Sequence, residues 1–275
     1  MLDLLIITNL PSLAKRCDVM AGTRLFVDLE RNGKAERQKG LDTFISTHQF
    51  ADVGLVKSVL KHSKLMVRVN PYQTHNPAAS QTEVDAVLAH GASLIMLPMF
   101  NNALELQSFA NMVAGRAPIV ALLETAGALQ SLDEWIDTPG LYEVFVGLND
   151  LHLSLCSRFM FEPLLMGHVD RVAAAASARG LRFGFGGIAR MDEGLLTGRD
   201  VLAEHLRLGS GAVILSRTFN RPNTRVGEKS FEQAIAELRA AELELGLRSP
   251  GLIEKDKLRI HGLIAELAQT FKLPA

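Results

Sequence analysis

PIVALLET (118–125) and EVFVGLND (143–150) decide how this chain is read. Each is a short apolar run that ends in a carboxylate, Glu124 or Asp150. A strand wetted on one face alternates apolar and polar residues, whereas a strand covered on both faces does not, so these runs predict buried parallel strands. Acids at their C-terminal ends fall where barrel and open-sheet enzymes assemble their sites. Two hard oxygen donors in that place point to a divalent cation.

Working outward, similar runs recur at LDLLIIT (2–8), RLFVDL (24–29), KLMVRV (64–69), SLIMLP (93–98), RFGFGG (182–187) and AVILS (212–216). With PIVALL (118–123) and EVFVGL (143–148) they make eight, the count a closed barrel needs. Between them lie the helix candidates DVGLVKSVLKHS (52–63), SQTEVDAVLAHG (80–91), NALELQSFANMVAG (102–115), HVDRVAAAASARG (168–180) and DVLAEHLRLGSG (200–211), several ending in glycine as helix C-caps do. Alternation of strand and helix implies right-handed crossovers and a parallel sheet. The predicted fold class is therefore α/β, a (β/α)8 TIM barrel with additional C-terminal helices. Residues 1–220 form the barrel, and 221–275 form a helical extension carrying two longer amphipathic helices, 228–247 and 250–271. Leu238, Leu243, Leu245, Ile260, Ile264 and Leu267 give these helices apolar faces that need cover, from the chain's own barrel or from a neighbouring subunit. A homo-oligomer is expected on that ground.

At 275 residues and 48% apolar content, the chain can bury a large core as one domain. Its 29 basic and 30 acidic residues nearly cancel and form no basic block, which argues against nucleic acid and anionic membrane as partners. A small-molecule carboxylate is the expected partner. Cys17 and Cys156 stand far apart in no metal-ligand spacing, which fits a reducing, cytoplasmic setting. The N-terminal MLDLLIITNLPSLAKRC has no basic segment before its apolar stretch and no run has the length of a membrane span, so the chain is read as soluble and unprocessed.

Inside LMVRVN, Arg68 is the anomalous residue, because an unpaired guanidinium is costly to bury. A planar fork suited to a carboxylate explains it, either as a substrate clamp or as an ion pair with Asp28 or Glu30, and the two roles are compatible. FGFGGIAR (183–190) lacks the spacing of phosphate and dinucleotide loops and reads as close backbone packing at the barrel rim, with substrate or phosphate contact as the alternative. LSRTF (215–219) puts Ser216, Arg217 and Thr218 after the last strand, where barrels often bind phosphate. Met96 and Met99 read as core or pocket wall, since sulfur suits a hard ion poorly.

Taken in order, FVDLE (26–30), MVRVN (66–70), ASLIMLPM (92–99), LLETAGAL (122–129), VFVGLNDLHLSL (144–155) and FGFGGIAR (183–190) resemble the HpcH/HpaI aldolase and citrate lyase β-subunit family over roughly residues 20–220. The resemblance implies a barrel of the pyruvate and phosphoenolpyruvate-binding type that makes or breaks carbon–carbon bonds next to an enolate. It implies Mg²⁺, or Mn²⁺ or Co²⁺, held by Glu124 and Asp150, with Arg68 on the substrate carboxylate. Gly147 and Asn149, in GLND, would add close backbone contact and N–H donors to that clamp.

The chain departs from the family's pattern at the base. The segment FVDLERNG keeps Asp28 and Glu30 but carries Arg31 where aldolase members have a histidine and citrate lyase-like members an acid. Leu122 stands where aldolase members carry glutamine, closer to the citrate lyase-like branch. Proton transfer then falls to Asp28, Glu30 or His152, with His48 and His75 as other histidines, or to a water. Arg31 and Ser216 are read as substrate-binding, Arg31 through an anionic group. The expected activity is a divalent-metal-dependent, aldolase-like carbon–carbon lyase acting on a 2-oxo acid or related carboxylate through an enolate. A citrate lyase-like acyl-CoA lyase or thioesterase, and a non-catalytic metabolite-binding barrel, are the alternatives.

Overall fold

The computed structural model describes residues 1–34, 46–221 and 229–273. Its first half runs β1 (Asp3–Ile7), α1 (Pro11–Asp18), β2 (Thr23–Asp28), α2 (Phe50–Lys57), β3 (Lys64–Arg68), α3 (Pro77–Ala89), β4 (Leu94–Leu97), α4 (Ala103–Val113) and β5 (Ile119–Leu123). There follow α5 (Ala126–Gln130), α6 (Leu132–Trp135), β6 (Leu141–Val146), α7 (Leu148–Ser154), α8 (Glu162–Leu165), α9 (His168–Ala178), β7 (Arg182–Ile188), α10 (Gly198–Arg207), β8 (Ala212–Leu215), α11 (Phe231–Gly246) and α12 (Pro250–Gln269). The strands are parallel, each pairs with the next, and β8 returns to β1, so the sheet is a closed (β/α)8 barrel.

The apolar runs are strands because both faces are covered. One parity of each strand, such as Ile6, Val27, Val67, Ile95, Ala121 and Val144, packs outward against the helices. The other parity, Leu5, Phe26, Met66, Met96, Val120, Leu122, Phe145 and Ala212, fills the barrel interior. At the N-terminal end the interior closes with charge: Arg24, 2% exposed, reaches Asp3 at 2.8 Å and Glu143 at 2.9 Å. Arg182 joins the same two acids at 2.7 and 3.3 Å. A buried guanidinium with two carboxylates is tolerable because each charge is compensated and hydrogen-bonded.

Three expectations shift. The run 143–148 is strand only to Val146, because pairing with β5 ends at Leu123 opposite Val146 and the Gly147 N–H donates to the Leu123 carbonyl. Gly147 then serves as N-cap of α7, so Asp150 occupies a first helical turn rather than a strand end. The helix expected at 52–63 stops at Lys57, since the Asp18 carboxylate takes the amides of Lys61, His62 and Ser63 at 2.7–3.0 Å and turns the chain into β3. In the C-terminal extension, Leu238, Leu245, Ile260 and Ile264 are buried while Leu243 is 75% exposed, on the outer face of α11.

α11 packs against α10, and α12 against α8 and α10. α11 is also tied to the start of the barrel: Glu242 accepts the Leu2 N–H at 2.6 Å, and Arg239 donates to the carbonyls of Leu2, Ala21 and Gly22. Residues 222–228 and 274–275 of the expected extension lie outside the described residues. Among the described residues no helix is long and apolar enough to cross a membrane.

Candidate active site at the C-terminal end of the barrel

Side chains on a strand alternate faces, so the parity that sends Phe26 and Met66 inward also sends Asp28 and Arg68 inward, one step nearer the C-terminal end. Asp28 and Arg68 are the last residues of β2 and β3 and are directly paired across them. Arg68 grips Asp28 as a fork, Nε to Oδ1 and Nη2 to Oδ2, both 2.8 Å, with its guanidinium carbon 5.7 Å above the Phe26 ring. Its Nη1 stands 3.3 Å from Glu30 Oε2. Lys34 completes a quartet, its Nζ 3.0 Å from Asp28 Oδ2 and 3.3 Å from Glu30 Oε2. Burial alone would push the Asp28 carboxyl up, but the charges and hydrogen bonds of Arg68 and Lys34 outweigh it and hold Asp28 well below the usual carboxylate range. Burial likewise disfavours the Arg68 cation, and Asp28, Glu30 and Glu124 more than compensate, keeping it firmly protonated.

Glu124 directly follows β5, in the inward parity of Val120 and Leu122, and its negative charge helps keep Arg68 protonated. Glu124 is 2% exposed. It does not cap the following helix; Thr125 does, accepting the Ala128 N–H at 3.0 Å and donating to the Phe100 carbonyl at 2.7 Å. Glu124 is steered instead by the Met99 N–H, 3.1 Å from Oε1, and Met99 holds a left-handed φ of 56° to present it. A non-glycine residue in that region is held against its own preference. Opposite, a Cβ on Gly147 would stand 2.6 Å from Glu124 Oε2, so only glycine leaves this carboxylate its place. Asp150 lies buried three residues on, in the first turn of α7.

The remaining predicted residues are placed as follows. Arg31 is exposed and braces the chain, its Nη2 donating to the His48 carbonyl at 2.7 Å, while its backbone N–H and that of Asn32 donate to Asn70 Oδ1 at 2.9 and 3.0 Å. Asn70 is held in turn by Glu83, whose carboxyl is pushed up by burial. His48 is buried and accepts the Asp28 N–H on Nδ1 at 3.1 Å, which fixes the neutral ring as its Nε2–H tautomer; burial lowers its pKa. His152 is buried, with Nδ1 3.2 Å from the Leu148 carbonyl, and burial pushes its pKa down too. Residues two apart on a helix diverge by about 200°, so Asp150 and His152 cannot both face the barrel axis. His75 lies exposed in the β3–α3 connection. Asn149 is half-buried in α7, and the Ser216 hydroxyl pairs with Thr218 at 2.8 Å at the end of β8. In FGFGGIAR, a Cβ on Gly184 would meet the Ala212 carbonyl and the Phe145 ring at 2.7 Å, which is close packing of barrel backbone.

Lys34 and Asn70 complete the site without having been singled out from the sequence, and Met99, read there as core or pocket wall, joins it through its backbone N–H. For Lys34 a signal existed, its spacing of four from Glu30. For Met99 none did, because a left-handed φ at a non-glycine residue leaves no compositional trace. Among the described residues no cluster of three or more His, Cys, Asp or Glu gathers around a point that would suit a metal ion. A cation here would have two protein carboxylates and fill its remaining positions with water or substrate, as Mg²⁺ prefers. The oxygen donors, both buried, and the cradle that a Gly147 Cβ would fill suit such an ion.

The HpcH/HpaI aldolase/citrate lyase family model matches residues 5–189. Among solved structures, a citrate lyase β subunit from M. tuberculosis, complexed with oxaloacetate and magnesium, superposes with a TM-score of 0.59 at 19% identity, over 88% of this chain and 96% of that one. An HpcH/HpaI aldolase/citrate lyase family protein from Burkholderia cenocepacia gives 0.59 at 15% identity, over 90% and 94%. A citrate lyase from Burkholderia xenovorans gives 0.61 at 16% identity, over 98% and 83%. At these identities the likeness is one of fold. No curated protein sequence matches the chain.

Proposed function

The chain belongs to the HpcH/HpaI aldolase/citrate lyase family, and on that premise we propose that it is a divalent-metal-dependent carbon–carbon lyase acting on a 2-oxo acid. The observation that carries this reading is that Arg68, the last residue of β3, and Glu124, directly after β5, both continue the inward parity of their strands to the C-terminal mouth of the barrel. Cleaving the bond beside a 2-oxo acid leaves an electron pair on an enolate oxygen. A divalent cation held by Glu124 and Asp150 would supply the positive charge that this oxygen needs.

The chain's own residues do the rest. Arg68 carries five N–H donors, of which Asp28 takes two and the Glu30 ion pair a third. The other two serve the substrate carboxylate. Asp28, held far below the usual carboxylate range, is a poor proton acceptor and fixes the plane of the guanidinium. Glu30 relays the proton through a water, in the neighbourhood where Arg31 has displaced the usual base. Residues 1–220 act as the catalytic barrel, with 221–275 as an extension. The oxaloacetate and magnesium of the M. tuberculosis neighbour are consistent with this ligand class.

The test is exchange of the pyruvate methyl protons in deuterated water with Mn²⁺, followed by NMR. Exchange by the wild type and its loss in Glu124→Gln support the reading; equal exchange in both removes Glu124 from the site, and none under any condition favours a non-catalytic, metabolite-binding barrel. A second reading, a citrate lyase-like acyl-CoA lyase or thioesterase, is favoured by Leu122, an apolar residue buried in the barrel interior directly below Glu124. Turnover of acyl-CoA esters separates the two.

A further inference from the structure

We infer that Lys34 is a positioning residue that sets the charge balance of the mouth, so that Arg68 receives a 2-oxo acid carboxylate instead of being consumed by Asp28 and Glu30. This rests on the 2-oxo acid reading above. The four side chains of the quartet are 13% exposed or less, so their charges are felt at low screening. Two acids and two bases make the group neutral. Without Lys34, a single guanidinium would answer two buried carboxylates, with Glu124 adding negative charge at the same guanidinium, and an anionic substrate would have to compete for it.

Lys34 suits the task chemically. A compact ammonium with three rotatable donors can serve both acids at once, and it reaches Asp28 and Glu30 from one position. It also stands on the segment that carries Arg31, where this chain departs from the family's pattern. Arg31 spends its Nη2 on backbone carbonyls of residues 47 and 48, so the second cation at the two acids is Lys34. Lys34 acts through Asp28 and Glu30, and no contact with the substrate is assigned to it.

The test is calorimetric binding of pyruvate, and of its uncharged amide, to the Mn²⁺-loaded protein. Lys34→Met should weaken pyruvate on the order of 10- to 100-fold, the usual loss when a group that orients a ligand-binding side chain is removed. The amide should change little, and Lys34→Arg should recover most of the loss. Thermal unfolding checks that each variant folds. If Lys34→Met does not fold, Lys34→Gln, which keeps N–H donors for the two acids but no charge, should likewise weaken pyruvate and leave the amide little changed. Equal weakening of pyruvate and amide, or unaltered pyruvate binding in whichever uncharged variant folds, would overturn the inference. If the wild type itself fails to bind pyruvate, the 2-oxo acid reading falls and this inference with it; if only the Lys34 pattern fails, that reading stands.

Discussion

Replacing Gly147 with alanine tests the metal-site reading with one methyl group. The added Cβ would lie 2.6 Å from Glu124 Oε2, 3.0 Å from Glu124 Cβ and 3.2 Å from Leu122 Cδ1. A carbon–oxygen contact is comfortable from about 3.3 Å, so the carboxylate must retreat by roughly 0.7 Å. Gly147 has a φ of −84°, within reach of any L-residue, so the effect comes from the contact alone. A shift of that size is about a third of an Mg²⁺–oxygen bond of roughly 2.1 Å, in a shell that tolerates little distortion. It also pulls Oε1 from the Met99 N–H. The expected loss of Mn²⁺ affinity is about 10- to 100-fold, or roughly 1.4–2.7 kcal/mol, with overpacking costing about 1–3 kcal/mol of stability. Gly246→Ala is the control, since a Cβ there meets nothing within 4 Å; it should leave Mn²⁺ binding alone. Calorimetric titration with Mn²⁺ reads both. A folded Gly147→Ala protein that binds Mn²⁺ within about twofold of the wild type, well inside the loss expected for a disturbed ligand, would refute the argument that Glu124 Oε2 is held for a cation.

Two further outcomes follow from buried polar groups. Asn70→Ala removes the acceptor of the Arg31 and Asn32 amides and one donor to Glu83, and should cost about 1–3 kcal/mol in urea denaturation; a loss below about 0.5 kcal/mol, within the scatter of neutral surface changes, would show that Asn70 does not hold this segment. His205, fully buried, stacked at 3.8 Å on Phe185 and bonded to Ser210, has its pKa pushed from 6.5 down to about 3 by burial. The unfolded chain therefore binds a proton that the fold refuses, and stability is complete above about pH 6.5 and falls as pH drops towards 3, by about 1.4 kcal/mol per unit. His205→Phe should flatten that slope between about pH 6 and pH 4, and an unchanged slope in pH-dependent denaturation would assign the acid sensitivity to other groups.

Much of the barrel was legible because its signal is local. The eight apolar runs end within two residues of the observed strands, and the inward parity of Phe26, Met66 and Leu122 carries on to Asp28, Arg68 and Glu124. The boundary at Gly147 was not legible: VFVGL stays apolar through it, and the strand stops there because its partner β5 stops at Leu123. That Leu243 faces away from the barrel was not legible for a similar reason, since an apolar residue announces itself without saying which way its helix turns once packed against α10.

The sequence by itself determined the barrel, the strand ends at Asp28 and Glu124, and the anomaly of an arginine inside an apolar strand, because strand periodicity and burial cost are properties of the chain's own spacing. Only the tertiary structure decided that Arg68 forks onto Asp28 with Lys34 behind it, that Met99 turns left-handed to hold Glu124, and that Gly147 leaves that carboxylate room. Those contacts join residues of different strands and loops, and they come into being when the closing of the sheet brings separate βα connections to one mouth.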